Sequence, residues 1–211
     1  MKREQIASTG AEFMARKKGK GGGKRKRSQQ RAQYDELDKY PVIPPHAFAR
    51  IVRDKQTLNI LYQIIEPPMT KKEQEQREEI MDIFIRSLTA NIEEIDSDPD
   101  AYLRTALDKV IKSYGMKINK KSKSKMFYYL RRDLIGYGKM DMMMHDINVE
   151  DISLDGTNVP IFAYHRKFES VETTCVWETD AELESYVIKL AQRCGKHISV
   201  AEPLLDATLM D

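Results

Sequence analysis

Apolar residues recur at helical spacing in three consecutive stretches between residues 70 and 135. The first stretch follows Thr70-Lys71-Lys72-Glu73, a capping box in which the threonine hydroxyl and the glutamate carboxylate each bind a backbone amide. Asp98-Pro99 opens the second stretch, Gly115 ends it, and the third stretch spans residues 122–135. The predicted apolar faces are Ile80, Ile83, Phe84 and Leu88; Leu103, Ala106, Leu107, Val110, Ile111 and Tyr114; and Met126, Tyr129, Leu130 and Leu134. Because none of these helices can bury its apolar face alone, a small bundle is expected.

Strand-like stretches flank the predicted bundle on both sides. Before it, residues 40–45 form a proline-rich entry, and residues 47–52 and 58–65 predict a hairpin with a turn at 54–56. After it, residues 149–154, 159–164 and 171–177 predict three strands, the first two joined by a turn at Asp155-Gly156. A second capping box at 179–182 opens a helix that Gly195 ends, and residues 197–200 and 204–210 are predicted to be extended. The residues of this helix predicted to face inward are Leu183, Tyr186, Val187, Leu190, Ala191 and Cys194.

This order of elements predicts an α+β fold with three parts. Residues 1–39 are expected to be a disordered basic arm, and residues 40–136 a β-hairpin with a three-helix subdomain. Residues 137–211 are expected to form an incomplete α/β-sandwich-like domain with a mostly antiparallel sheet. The last predicted strand stops where a hairpin would begin, and this predicts that the domain is truncated at its C-terminal end.

Charge is distributed unevenly, although the net charge is only +2. Residues 1–33 contain eleven Lys or Arg and two acids, and the rest contains 24 basic and 31 acidic side chains. An arm of this kind is typical of contact with anionic lipid or nucleic acid, and equally of a solubilising tail with no partner. A second basic cluster consists of Lys117, Lys120, Lys121, Lys123 and Lys125.

Several kinds of site are disfavoured by spacing. Gly23-Lys24 is not a phosphate-binding loop, because that motif needs glycine at position 18 and Ser or Thr at 25, where the chain has Lys18 and Arg25. Two cysteines are too few for a disulfide framework, and the four histidines have no metal-ligand spacing relative to them. No apolar run reaches membrane-spanning length. We therefore predict no catalytic, cofactor-binding or metal-binding residue in this chain.

One ordered set of motifs carries a family resemblance. It comprises Ile64-Ile65-Glu66-Pro67, Gly136-Tyr137-Gly138-Lys139, the acidic step from Asp146 to Asp151, Ile152-Ser153-Leu154-Asp155-Gly156, and residues 198–209. In this order the motifs resemble the N-terminal region of type II/type IV secretion ATPases, in particular the archaeal GspE-like and archaellum-motor branch. The resemblance covers residues 40–211 and leaves the basic arm outside it.

The resemblance implies one part of a hexameric motor. In that family ATP and Mg²⁺ bind between an N-terminal domain and a RecA-like domain, and the resulting movement drives assembly of secretion, pilus or archaellum filaments. The implied partners are this chain's own RecA-like ATPase domain, neighbouring subunits and a membrane platform protein, at the cytoplasmic face of the membrane. The catalytic motifs are not in this chain, so the resemblance implies that it is inactive alone. The twin glycines Gly136 and Gly138 are then interpreted as a junction between the bundle and the α+β domain.

Three groups of residues keep alternative interpretations. Glu150, Asp151 and Asp155 fit metal or acid–base chemistry, or ordinary turn chemistry. Arg166, Lys167, Lys189 and Arg193 fit contact with a phosphate held by a neighbouring domain, or solvated surface, and Met140, Met142, Met143 and Met144 fit an adaptable interface or core. Two other functions remain alternatives: a basic-arm nucleic-acid-binding protein, and a stand-alone adaptor that docks onto a secretion platform.

Overall fold

A computed structural model describes residues 33–87, 98–199 and 204–209, and it has an α+β fold, as predicted. The strands are β1 (Tyr34–Ile43), β2 (Ala47–Asp54), β3 (Ile60–Ile65), β4 (Val149–Ser153), β5 (Pro160–His165) and β6 (Glu169–Val176). The helices are α1 (Lys71–Ser87), α2 (Pro99–Ser113), α3 (Lys120–Leu130), α4 (Asp141–Met144) and α5 (Asp180–Arg193). A π-helical turn, Arg131–Ile135, follows α3, and a short 3₁₀ helix, Gly138–Met140, precedes α4.

The six strands form one mostly antiparallel sheet in the order β1-β2-β3-β6-β5-β4. The predicted hairpin is confirmed, with Val52 opposite Leu61 in the β2–β3 pair. The β3–β6 pair is parallel and places Leu61 opposite Glu172. This single parallel pairing joins strands from the two parts that the sequence placed in separate subdomains, so the sheet is continuous across them.

The N-terminal boundary of the folded part differs from the prediction. Residues 34–39 were assigned to the disordered arm and residues 40–45 to a proline-rich entry, but Tyr34–Ile43 is strand β1. The prediction was wrong because this strand contains charges and Pro41, which reduce its apolar signal. Its pairing with β2 has irregular register between Pro41 and Ile43, as expected where a proline lies in an edge strand. Residues 1–32 of the arm lie outside the described residues.

The predicted helix starts are confirmed by their caps. Thr70 Oγ1 accepts from the Glu73 amide at 3.2 Å, and Glu73 Oε2 accepts from the Thr70 amide at 2.7 Å, which completes the reciprocal capping box. Asp98 Oδ1 accepts from the Ala101 amide at 3.0 Å, with Pro99 at the first helical position. The Thr179 hydroxyl accepts from the Glu182 amide at 3.2 Å at the start of α5. Short-range sequence signals therefore located these helix starts correctly.

Glu73 also has a role beyond the cap. Its carboxylate accepts from the Thr70 amide, from the Ser122 hydroxyl at 2.7 Å, and from Lys125 Nζ at 3.1 Å. These hydrogen bonds, the backbone bond first, lower the pKa of Glu73 to about 2. The carboxylate therefore ties the start of α1 to the first half of α3.

We expect this contact to make stability depend on pH in acid. Because the folded-state pKa of Glu73 is below its ordinary value of 4.5, its stabilisation is complete above that pH and is lost as the pH falls towards 2. Thermal unfolding of Glu73→Gln, measured from pH 7 to pH 2, should show a smaller loss of stability in this window than the wild type. Glu75→Gln is the matched control, since Glu75 makes only an exposed contact with Lys71. An equal acid dependence in wild type and Glu73→Gln would contradict the assignment.

Two apolar cores meet at α3. Met126 and Leu130 pack with Ile80, Phe84 and Leu107 in the core of the bundle, together with Leu103. Tyr128 and Tyr129 on the same helix instead join the core that lies against the sheet. The sequence predicted Tyr129 on the same face as Met126, but α3 is covered on two sides. The helix is therefore shared between bundle and sheet.

The C-terminal segments do not extend the sheet. Residues 197–199 and 204–209, predicted to be extended, have no strand partner among the described residues. Residues 200 and 210, which complete these two predicted segments, lie outside the described part of the chain, as does Leu88 of the first predicted helix face.

Candidate functional site

Arg132, in the π-turn after α3, forms the centre of a charged network between the bundle and the sheet. Its Nη1 donates to both carboxylate oxygens of Glu66 at 2.8 Å, and its Nε donates to Asp133 Oδ1 at 2.8 Å. Glu66 directly follows β3, so the pair fastens the end of α3 to the sheet. The side chain of Arg132 is only 14% exposed, and solvent screens this pair less than a surface pair. The two carboxylates raise the pKa of Arg132 against the effect of burial, so it stays charged.

Aromatic side chains of α3 complete this network. The Tyr128 hydroxyl donates to Glu66 Oε1 at 2.8 Å, and the Tyr129 hydroxyl donates to the carbonyl oxygen of Pro67 at 2.7 Å. The guanidinium carbon of Arg132 lies 4.8 Å from the centroid of the Tyr129 ring, and that of Arg77 lies 5.4 Å from it. Burial raises the pKa of Tyr129 to about 12, so the hydroxyl remains a donor. A shallow polar cleft of about 490 Å³ opens beside these residues.

The π-turn ends at Gly136, whose amide donates to the carbonyl oxygen of Arg131 at 2.8 Å. This hydrogen bond spans five residues instead of the four of an α-helix, so the helix is wider here and some carbonyl groups have no donor within it. Helix α5 supplies the donors: Lys189 Nζ binds the carbonyl oxygen of Asp133 at 2.8 Å, and Arg193 Nη1 binds that of Gly136 at 3.1 Å. Burial, with a smaller effect of Arg193, lowers the pKa of Lys189. We call the set Glu66, Arg132, Asp133, Gly136 and Lys139 the junction.

Asp141, in α4, packs directly against Gly136. The carboxylate is 1% exposed, and its Oδ1 accepts from the Tyr137 amide at 2.9 Å. Its Oδ2 has no hydrogen-bond partner among the described residues, and neither does Trp177 Nε1 or the Tyr186 hydroxyl. The Trp177 and Tyr186 rings are in contact, with centroids 4.8 Å apart. The segment after the twin glycines is therefore tightly buried and contains polar atoms that the described protein leaves unpaired.

Asp146, just before β4, organises a second buried network. Its Oδ2 accepts from the hydroxyls of Tyr40 at 2.7 Å and Tyr62 at 2.6 Å, and its Oδ1 accepts from the Asn148 amide at 2.9 Å. The Tyr40 hydroxyl also lies 3.0 Å from His165 Nε2. Asp146 is 4% exposed and Tyr62 is fully buried, and burial is the main reason that the pKa of Tyr62 is raised.

The protonation state of His165 follows from its neighbours. Its Nδ1 accepts from the Lys167 amide at 3.1 Å, so the proton of a neutral ring lies on Nε2, which then donates to the Tyr40 hydroxyl. Burial lowers the pKa of His165 and favours this neutral form. The network therefore runs from histidine to tyrosine to aspartate and joins β1, β3 and β5 to the start of β4.

The basic residues proposed to face a phosphate are not brought together. Arg166 Nε binds Glu150 at 3.0 Å and Lys167 Nζ binds Asp38 at 3.4 Å, both at the exposed surface. Lys189 and Arg193 bind the carbonyl groups described above. The described residues therefore do not fit a nucleotide phosphate, and we derive no reaction step through ATP in this part of the chain.

The remaining candidates have structural explanations. Asp155 Oδ1 accepts from the Ser153 hydroxyl at 2.9 Å, and Glu150 is paired with Arg166. The turn between β4 and β5 lies at Thr157-Asn158 and not at the predicted Asp155-Gly156, because Asn158, with a φ of +58°, adopts the left-handed conformation there. In the part of the chain that the structure describes, no group of three or more His, Cys, Asp or Glu could hold a metal ion. Met140, Met142 and Met143 are buried in the sheet core, and Met144 is 38% exposed, so the core interpretation holds for three of the four.

Sequence reasoning did not find Arg132 or Asp146 as centres of networks. Their partners lie far away along the chain: 66 residues separate Arg132 from Glu66, and 106 residues separate Asp146 from Tyr40. The available signal was indirect. Arg132 lies four residues before the motif that begins at Gly136, Asp146 begins the acidic step, and Glu66 belongs to the first motif.

Comparisons with known proteins find related archaeal sequences. An uncharacterized protein of Methanocaldococcus jannaschii is 38% identical over 151 residues, which are 71% of this chain and 60% of that protein. A second uncharacterized protein of this organism is 29% identical over 177 residues, which are 82% of this chain and 31% of that protein. The chain thus matches less than two thirds of the length of either relative. No protein-family profile matches the sequence.

Within the described residues, no helix has both the length and the apolar content needed to cross a membrane.

Proposed function

We propose that this chain is the N-terminal portion of a hexameric ATPase that assembles secretion, pilus or archaellum filaments. In this proposal it positions the motor domain and couples ATP-driven movement to a membrane platform protein, and it does not hydrolyse ATP alone. ATP and Mg²⁺ would be bound by a RecA-like domain. The observation that carries the proposal is that residues of the resemblance motifs converge on the junction between bundle and sheet.

Three of these motif residues make the contacts that hold the junction together. Glu66 pairs with Arg132 across the end of α3, and the Gly136 carbonyl accepts from Arg193 of α5. Lys139 Nζ pairs with Glu182 at 2.8 Å and lies 4.9 Å from the centroid of the Trp177 ring. A domain that transmits movement needs stiff connections between its layers. Contacts between α3, the sheet and α5 at one point support that role.

The lengths of the archaeal relatives are consistent with a sequence of this kind forming one part of a longer protein. The match occupies 31% of the second archaeal protein, so a similar sequence occurs there as one part of a longer chain. A coupling domain joined to a motor domain would have this arrangement. The archaeal source of both relatives also agrees with the branch that the sequence motifs resemble.

The direct test is ATP turnover by the purified 211-residue chain. We expect phosphate release at the background rate, with and without Mg²⁺, because the sequence has no phosphate-binding loop and the four basic residues considered for phosphate contact already bind protein groups. A preparation carrying Arg132→Lys serves as the control for contaminating ATPases, since contamination does not depend on this residue. Turnover above background that is reduced by the substitution would contradict the proposal.

A further inference from the structure

Helices α2 and α3 form an antiparallel pair with a regular seam of side-chain contacts. From one contact to the next, the residue number rises by four in α2 and falls by four in α3. Residues four apart lie on the same face of a helix, so the contacts join one face of α2 to one face of α3. The outer ion pair joins Arg131 Nε to Asp100 Oδ1 at 2.8 Å, and the middle contact places Arg104 4.0 Å from the centroid of the Phe127 ring. The third contact is an ion pair between Lys123 and Asp108. Along this seam, opposite charges or a cation and an aromatic ring face each other.

The pattern changes at the end where α2 turns into α3. One further step of four residues along each helix reaches Lys112 and Asn119, and other lysines lie near these two positions in the sequence. These exposed lysines, which we call the lysine end, are Lys109, Lys112, Lys117, Lys120 and Lys121. None of the five has an acidic partner among residues 33–87, 98–199 and 204–209. Residues 101–132 contain ten basic side chains and one acid, Asp108.

This concentration of lysines does not stabilise the fold. Like charges on adjacent helix turns each cost about 0.2 to 0.5 kcal/mol, and cations are unfavourable near the positive end of a helix dipole. Lys120 and Lys121 lie at that end of α3. Gly115 and the Asn119 cap already form the turn, so its geometry does not require lysine. A surface with this composition fits an anionic partner.

An acidic surface lies elsewhere on the same chain, where the loop after β4 packs on the start of α5. The Thr157 hydroxyl donates to Asp180 Oδ1 at 2.6 Å, and the Asn158 amide donates to the carbonyl oxygen of Trp177 at 2.7 Å. These bonds hold the loop beside the first turn of the helix. The exposed acids gathered there, which we call the acidic corner, are Asp155, Glu178, Asp180 and Glu184. In the described chain none of the four is in an ion pair.

Overall charge favours a second copy of the chain over a polyanion as the partner. Outside the lysine-rich hairpin, residues 34–100 and 133–211 contain 14 basic and 30 acidic side chains. Charges farther apart than a Debye length of about 10 Å are screened, so a second copy that docks through one small acidic patch is little repelled by this remainder, whereas an extended nucleic acid or anionic membrane would also lie close to it. Another copy offers the acidic corner, whose four exposed acids are opposite in charge to the five lysines of the lysine end.

We propose that the lysine end of one chain docks on the acidic corner of a second copy, head to tail. A contact between two different surfaces is heterologous, so it can close into a ring or continue as a filament. This contact would join neighbouring subunits of the proposed hexamer, and in that respect the inference rests on the proposed function. The contact itself depends only on the complementary charges of the two surfaces, so detection of ATP turnover by the chain would not contradict it.

Sedimentation velocity of the full chain over a range of concentrations tests the contact. We expect concentration-dependent association at low salt that weakens about tenfold or more when the ionic strength rises from about 0.05 M to about 0.3 M. The lysine-end variant, Lys117→Gln with Lys120→Gln and Lys121→Gln, should be monomeric. The acidic-corner variant, Asp155→Asn with Glu178→Gln and Glu184→Gln, should also be monomeric, and because both variants are neutralised rather than reversed, their altered surfaces do not attract each other. All six positions are exposed, and circular dichroism and thermal melting check that both variants fold.

Mixing the two variants gives the decisive result. Each retains one intact surface, the acidic corner in the first and the lysine end in the second. The mixture should therefore form a one-to-one dimer and no larger species. Two results would overturn the proposal. In the first, one of the variants associates as strongly as the wild type. In the second, the mixture of the two variants stays monomeric.

Two controls separate this contact from the other anionic partners. Replacing Lys24, Arg25, Lys26 and Arg27 of the arm by Gln should leave the association unchanged, whereas loss of association would assign it to the arm and overturn the proposal. A single-stranded oligonucleotide and vesicles containing anionic phospholipid are titrated at the same salt. If the wild type is monomeric at low salt but binds the oligonucleotide or the vesicles through the lysine end, the proposal is overturned and that probe identifies the partner of the lysine end.

Discussion

Gly136→Ala should destabilise the protein by about 3 kcal/mol or more, which is a large fraction of the stability of a domain this size. A methyl group at Gly136 would lie 2.2 Å from Asp141 Oδ1, 2.7 Å from its Cγ and 2.9 Å from the carbonyl oxygen of Arg132. The carboxylate cannot move into solvent, because Asp141 is 1% exposed. Nor can the carbonyl group move easily, because it belongs to the backbone of the π-turn. Urea unfolding followed by circular dichroism measures the effect.

Gly138→Ala is the matched control two residues away. Gly138 has a φ of +59°, and no atom lies within 4 Å of the position that its Cβ would occupy. The substitution therefore brings backbone strain of about 1 kcal/mol and no steric clash. Asp141→Ala combined with Gly136→Ala should recover part of the lost stability, since it removes the closest atom. If Gly136→Ala cost no more than Gly138→Ala, the packing of Asp141 against the glycine would be disproved.

Asp146→Ala should cost about 3 to 5 kcal/mol, because several donors lose their acceptor at once. The hydroxyls of Tyr40 and Tyr62 both donate to Asp146 Oδ2, and the Asn148 amide donates to its Oδ1. Tyr62 is fully buried, so its hydroxyl would have no solvent to replace the carboxylate. Chemical unfolding at pH 7 measures the change in free energy.

Substitution of the donors provides the comparison for Asp146. Tyr40→Phe leaves Asp146 with Tyr62 and Asn148 but removes the acceptor of the buried His165 Nε2, so we expect a loss of about 1 to 3 kcal/mol, smaller than that of Asp146→Ala. In the double variant Tyr40→Phe with Asp146→Ala, the cost should be less than the sum, because Tyr40 no longer presents an unpaired donor. Strict additivity of the two effects would show that the tyrosine and the aspartate do not interact.

Local sequence signals predicted many elements of the fold correctly. The capping box at Thr70 and Glu73, the Asp98-Pro99 start and the glycine after α2 all depend on residues within a few positions of one another. The predicted helix over 122–135 was only partly correct: α3 begins at Lys120 and gives way to the π-turn at Arg131. At this turn Lys189 and Arg193 of α5 bind the carbonyl oxygens of Asp133 and Gly136, and contacts between such distant residues leave no local sequence signal.

The interpretation of the twin glycines as a junction can now be stated in physical terms. Gly136 ends the π-turn and leaves room for Asp141, and Gly138 adopts a left-handed conformation at the start of the 3₁₀ helix. The sequence indicated a change of structure at these residues. It could not show that a carboxylate is buried against one glycine and that open space surrounds the other.

The sequence by itself determined the α+β class, the starts of α1, α2 and α5, the β2–β3 hairpin and the separation of a basic arm from an acidic remainder. These properties follow from local hydrogen bonding, from hydrophobic periodicity and from composition. Only the tertiary structure decided that β3 and β6 pair to form one sheet, that Arg132 and Asp146 are centres of buried networks, and which lysines are paired. The physical reason is that these contacts join residues far apart in the chain, and their geometry depends on how the bundle packs against the sheet.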